Sequence, residues 1–148
     1  MKLDELYSEI IKDHNISRHN KRELESPSLT IPGRNSSCGD EIELSLRIEH
    51  GRIIDGAYCG IGCAISQASA SIMIDLVKGK TTEEARMLCG IFLRMVRGDE
   101  PEGEDKKLLG EAMAFTNVAN MPARVKCATM PWYTLERAVK INIILNRN

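Results

Sequence analysis

Between Glu41 and Glu49 the chain alternates without a slip. Ile42, Leu44, Leu46 and Ile48 are apolar, and Glu41, Glu43, Ser45, Arg47 and Glu49 are polar. A period of two belongs to a strand with one wet face and one buried face, because successive side chains leave a strand on opposite sides. His50-Gly51 then predicts a tight turn, and Arg52 to Tyr58 a returning strand, so a hairpin stands at the centre of the fold. Ser28 to Ile31 predicts a short third strand, stopped by Pro32-Gly33.

The rest of the chain reads as helix and connection. Leu3, Leu6, Tyr7, Ile10 and Ile11 recur at helical spacing, which predicts an amphipathic helix ending near His14-Asn15. Ser17 to Pro27 is polar and predicts an extended connection. His14 and His19 have no ligand-spaced partner and are expected as solvated surface histidines. Cys63 to Val77, rich in Ala, Ser and Ile, predicts a helix with small residues that let it lie close to a sheet. It is closed by Lys78-Gly79-Lys80. Thr81 and Glu84 form a capping-box pattern for the next helix, which runs to about Arg97 and buries Cys89 as an inert core thiol. Asp99 to Asp105 is an acidic loop and Leu108 to Val118 a further helical segment. Asn120-Met121-Pro122 breaks the chain, and Pro131 is expected in the first turn of a last helix. Strands and helices are segregated along the chain, which predicts an α+β fold with a three-stranded antiparallel sheet packed against helices.

Composition narrows the function. At 148 residues, 43% of them hydrophobic, the chain suits one domain over residues 1–148. A formal net charge of −1 excludes a general nucleic-acid binder, which needs a cationic excess to neutralise phosphates. No apolar run approaches the roughly 20 residues of a membrane span, and the charged N-terminus lacks a signal-peptide core. A cytoplasmic, reducing location is therefore expected. There, five cysteines read as metal ligands, nucleophiles or core thiols rather than a disulfide framework.

Three of those cysteines have suggestive settings. Cys38 and Asp40 flank Gly39 in a polar loop just before the alternating strand, and Cys63 follows Gly60-Ile61-Gly62 and opens a helix. A hairpin brings the loop before its first strand and the residues after its second strand to one sheet end, so Cys38, Asp40 and Cys63 are neighbours by topology. A helix N-terminus also favours the thiolate of Cys63. Three thiols and one carboxylate suit a four-coordinate zinc shell, with Cys127 as the third thiol. Arg124 and Lys126 are then candidates to offset its negative charge. The residues alone also admit buried structural thiols, and a solvated loop for the two cations. Cys59 reads as a bystander despite its Cys-x-x-x-Cys spacing to Cys63.

Cys38-Gly39-Asp40, Gly60-Ile61-Gly62-Cys63, the Ser-Gln-Ala-Ser-Ala-Ser run from Ser66 to Ser71 and Pro122-Ala123-Arg124-Val125-Lys126-Cys127 together resemble the IscU/NifU-type iron–sulfur assembly family. The similarity keeps the same order over nearly the whole chain. Two details resemble the SufU branch: an extra segment at roughly Gly98 to Val118, and Lys126 where the IscU branch typically has histidine. The resemblance implies a SufE/NifU-like α+β sandwich, with Zn²⁺ held by Cys38, Asp40, Cys63 and Cys127. The same ligands would alternatively hold Fe or a [2Fe-2S] cluster assembled on a scaffold. It also implies a pyridoxal-phosphate cysteine desulfurase of the SufS type as partner, whose persulfide sulfur this chain accepts and passes to downstream iron–sulfur assembly proteins. Cys38 is the implied acceptor, freed from zinc when the partner donates a replacement ligand. Cys59, Pro131 and the hydrophobic tail Ile141 to Leu145 depart from the family pattern.

Overall fold

The computed structural model describes residues 2–146. In chain order it contains α1 (Leu3–Ser17), β1 (Leu29–Asn35), β2 (Asp40–Glu49), β3 (Arg52–Ile61), α2 (Ala64–Val77), α3 (Thr82–Val96), α4 (Glu104–Leu109), a 3₁₀ helix (Gly110–Asn120) and α5 (Pro122–Leu145). The three strands form one antiparallel sheet in the order β1-β2-β3. The α+β expectation holds.

The alternating stretch is the central strand β2. Ile42, Leu44 and Leu46 are all but fully buried on its inner face. His50 and Gly51, both at positive φ, make the two-residue connection to β3, the backbone a tight twisted hairpin requires. Strand β1 does not stop at Pro32-Gly33 but runs on to Asn35. It is an edge strand, where a residue without an N–H is tolerated. Gly33 is needed there, because a Cβ would collide with Thr134 and Met130 of α5.

Helix α2 lies across the sheet with nearly every side buried: Ala68, Ser69, Ala70, Ser71 and Ile72 are sealed from solvent. Its small side chains let the sheet and α5 both approach closely. Ser69 Oγ donates to the Ala128 carbonyl at 2.6 Å and accepts from Trp132 Nε1 at 3.0 Å, tying α2 to α5. Beneath, Phe92 stacks on Trp132 with ring centres 4.2 Å apart and meets Phe115 edge-on. Cys89 is buried beside them, as expected. Burial and then the charge of Glu136 push its thiol pKa up to about 12.

Three further expectations need correction. The last helix begins at Pro122, nine residues before Pro131, which lies inside it. Proline at the first helical position has no N–H to waste, so Pro122 starts the helix rather than only breaking the chain. The carbonyl of Cys127 thereby loses its usual i+4 donor at Pro131. The segment read as a helix from Leu108 to Val118 is divided at Gly110, whose φ of +47° ends α4 before the 3₁₀ helix. Finally, His14 is buried, 6% exposed, and His19, though half open, is bonded to Asp75 of α2. The connection after α1 explains this, because it docks on the outer edge of β3. Arg22 N donates to Tyr58 O, and Tyr58 N to Asn20 O, both at 3.0 Å.

Candidate metal centre

The turn between β1 and β2 carries the first two site residues. Asn35 pairs with Asp40 across the ladder, so Ser36 to Gly39 form the hairpin tip, closed by Cys38 N donating to Asn35 O at 3.3 Å. Gly39 has φ +69°, a conformation that other residues adopt at a cost, with nothing packed around it. The tip is open to solvent. Cys38 is half-buried, while Asp40, the first residue of β2, is buried.

At the same sheet end β3 gives way to α2, and Cys63 is the N-cap residue of that helix. Its sulfur accepts from Ser66 N at 3.5 Å, and its own N–H donates to Asp40 Oδ1 at 2.8 Å. The hairpin geometry thus joins Asp40 to Cys63 directly. Cys127 arrives from the other direction, on the second turn of α5, fully buried. Its Sγ donates to Cys38 Sγ at 3.0 Å. Donor atoms of Cys38, Asp40 and Cys127 all lie within 4.8 Å of one another. The Cys63 sulfur is turned toward its helix cap but still interacts with the Cys127 thiol.

Electrostatics show what such a cluster lacks. At Asp40, burial opposes ionisation, but the Cys63 N–H, the Asn35 amide and the Ser66 and Cys127 side chains outweigh it and lower the carboxyl pKa. At Cys127, burial, hydrogen bonds to Cys38 and Cys63, and the nearby Cys63 and Asp40 all push the thiol pKa far up. One anion is well held, and a second is strongly disfavoured. A dication reverses that balance, since it turns crowding of acidic donors into coordination. Soft thiolates with one carboxylate oxygen match zinc or iron, so the donor set fits the ion.

Two contributors were not singled out from the sequence. Asn35 Nδ2 donates to Asp40 Oδ2 at 3.0 Å and to Cys127 Sγ at 3.5 Å, spanning two of the donors. Ser66 contacts Cys63 and Asp40 from the first turn of α2. Only the ladder register, which sets Asn35 opposite Asp40, reveals the first; the N-cap spacing from Cys63 signals the second. Arg124 and Lys126 stand on the exposed side of the first turns of α5. Among the described residues neither forms an ion pair with the cluster. Lys126 instead lines a groove of about 710 Å³ with Arg34, Asn35, Tyr133 and Arg137. Cys59 faces elsewhere, donating to Arg22 O at 3.2 Å.

Known proteins share this fold and much of this sequence. The model of the NifU-like N-terminal domain matches residues 6–140. The chain is 40% identical over 139 residues to the iron–sulfur cluster assembly scaffold protein IscU of Streptococcus pyogenes serotype M1, covering 94% of this chain and 86% of that protein. It is 39% identical over 137 residues to the zinc-dependent sulfurtransferase SufU of Bacillus subtilis strain 168, covering 93% and 91%. A crystal structure of a putative iron–sulfur cluster assembly scaffold protein for the SUF system, from Fervidobacterium islandicum AW-1, superposes with a TM-score of 0.84. It shares 37% identity over 93% of this chain and 99% of that one. With agreement in sequence, fold and end-to-end coverage, the chain belongs to the NifU-like N-terminal domain family, the IscU/NifU family of iron–sulfur cluster assembly proteins, in which SufU is among its near relatives.

Proposed function

We propose that this chain is a zinc-dependent sulfur acceptor, taking persulfide sulfur from a pyridoxal-phosphate cysteine desulfurase of the SufS type and passing it to downstream iron–sulfur assembly proteins. One observation carries this reading. The donors converge at one sheet end, and of the thiols touching Asp40 or one another only Cys38 sits on a hairpin tip, half-open and next to an unpacked glycine. Asp40, Cys63 and Cys127 spring from a strand start, a helix cap and a helix interior, so they suit holding an ion; Cys38 suits leaving it. Bound zinc would keep the thiols as thiolates near neutral pH. The likeness to the Bacillus subtilis sulfurtransferase supports the choice of metal.

The transfer needs only the residues of this chain and the donor. The Cys38 thiolate attacks the terminal sulfur of the desulfurase persulfide, a new S–S bond forms on Cys38, and the desulfurase cysteine departs as its thiolate. No net oxidation occurs. The groove bearing Arg34, Lys126 and Arg137 opens beside Asn35, where it can receive the partner segment that presents the persulfide.

The test is a desulfurase assay with and without this protein, alongside metal analysis. Stimulation and persulfide capture should require zinc and vanish in Cys38→Ala, whose partly exposed turn position keeps the fold intact. Full stimulation by that variant would remove Cys38 as acceptor. The likeness to the streptococcal scaffold favours a second reading, in which the same ligands build a [2Fe-2S] cluster. Visible absorbance after anaerobic reconstitution, with intact transfer to an apo-acceptor, would select the scaffold.

A further inference from the structure

At the far half of α2 a second group of ligand-type side chains comes together, outside the cysteine centre. His14 from the last turn of α1, His19 from the following connection and Asp75 of α2 each offer an atom within 4.8 Å of the others. The two imidazole rings lie 5.3 Å apart, and His19 Nε2 is 2.9 and 3.0 Å from the two Asp75 oxygens. We propose that His14, His19 and Asp75 form a second metal site, taking a borderline divalent transition ion such as Zn²⁺ or Co²⁺ and separate from the cysteine centre. Two imidazoles and a carboxylate are donors of that class, and three protein ligands leave a position open.

Each ligand has an oriented outer partner, as working metal ligands require. His14 Nε2 lies 3.2 Å from Glu111 Oε1, which can hold the proton there and leave Nδ1 with its lone pair. His19 Nδ1 lies 3.2 Å from Ser17 Oγ, so its proton can sit on that side and free Nε2. Asp75 Oδ1 accepts from Asn20 Nδ2 at 2.9 Å. The same amide nitrogen is shared with Ser71 O at 2.8 Å, Ser71 Oγ at 3.2 Å and His19 Nε2 at 3.1 Å. Meanwhile the buried Asn20 Oδ1 has no partner among the described residues. Hydrogen bonding alone leaves this cluster unbalanced, with one amide face overcommitted and the other bare.

The site is the weaker of the two. Donors around a tetrahedral ion with bonds near 2.0–2.1 Å stand about 3.3 Å apart, so the His19–Asp75 pair must open slightly and any donors nearer the 4.8 Å limit must draw in. Ser71 Oγ, 2.8 Å from His14 Nδ1, must also turn aside. His19 and Asp75 are 45% and 36% exposed, which gives an ion its way in.

The proposal does not rest on sulfur transfer and is tested by stoichiometry. Full-length protein already carrying one equivalent of metal at the cysteines is titrated with Zn²⁺ and, separately, Co²⁺, with bound metal counted after dialysis. Wild type should take a second equivalent; His19→Ala, Asp75→Asn and their combination should lose it, keeping the first equivalent and a cooperative unfolding transition. Second-site cobalt should lack the sulfur-to-metal charge-transfer absorption of thiolate ligands. A single equivalent in wild type, a second equivalent surviving the double substitution, or charge transfer from the second ion would overturn it.

Discussion

Helix α2 carries a polar cluster toward each end, and the two are built differently. At its N-terminus, Cys63 meets Asp40 and Cys127, whose backbones belong to a helix cap, a strand start and a helix interior. Toward its C-terminus, Asp75 meets His14 and His19, one from the final turn of α1 and the other from a docked connection. The first cluster is held by ladder register and helix capping, so its buried donors have little room to move, apart from Cys38 at the hairpin tip. The second is held by side-chain hydrogen bonds around Asn20 and Ser71. Rigidity with one loose member suits a centre that releases a single ligand. A softer set of borderline donors suits weaker, more exchangeable binding.

Metal removal should separate the clusters most strongly. An ion present at a thousandfold over its Kd stabilises the fold by about 4 kcal/mol. Chelating the cysteine centre should therefore lower the melting temperature by many degrees, and Cys63→Ala should abolish that metal-dependent shift. Thiol labelling offers a parallel readout. Without metal, half-exposed Cys38, Cys59 and Cys63 should react while buried Cys89 and Cys127 stay silent; with metal, Cys59 alone should react quickly. An equal labelling pattern in both states would break the assignment of the centre.

The next effect lies between the clusters. Ser69→Ala removes the donor to Ala128 O and the acceptor for Trp132 Nε1, leaving the buried indole N–H unpaired and the carbonyl one bond short. At about 1–3 kcal/mol for the orphaned donor and about 0.5–1.5 kcal/mol for the lost bond to the carbonyl, denaturant unfolding should show a loss of roughly 1.5–4.5 kcal/mol. Both clusters share α2, so a loss below 1 kcal/mol would mean that the α2–α5 contact does not set their spacing.

Asp40 gives a smaller, pH-dependent effect in the metal-free protein. Its folded pKa is lowered from 3.8, because the Cys63 N–H and its side-chain donors outweigh burial. The stabilisation is therefore complete above the unfolded pKa and is lost as pH falls through the lower folded value. Asp40→Asn should cost about 1.5–3 kcal/mol near neutrality, the worth of charge-assisted hydrogen bonds, and flatten the acid limb of the stability curve. An unchanged acid limb would show that Asp40 is not held as an anion.

Periodicity made the first cluster legible and hid the second. Alternation from Ile42 to Ile48 defines the hairpin, and the hairpin places Cys38, Asp40 and Cys63 at one end of the sheet. Cys127 was a candidate third thiol that no topology placed beside the others, because Pro131 suggested a late helix start while Pro122 provides the real one. Pro32-Gly33 looked like a stop because local propensity cannot tell that β1 lies on an edge. His14 and His19 lack any ligand spacing along the chain. Their partners Ser71, Asp75 and Glu111 are 56 to 97 residues away, joined only when the connection docks on β3.

His19→Ala should give the smallest stability change. The His19–Asp75 pair is about half open to water, and exposed ion pairs are worth about 0–1 kcal/mol. Removing His19 leaves the amide of Asn20 still bonded to Asp75 Oδ1 and Ser71 O, so no buried donor is orphaned. Equilibrium unfolding should thus fall by less than about 1 kcal/mol, and desulfurase stimulation should be unchanged, since the cysteine centre is supported by other residues. A large loss of stability would make His19 a keystone of the packing. A loss of stimulation with stability intact would show that the two ends of α2 are coupled, so that the histidine cluster reaches the hairpin tip through the helix they share.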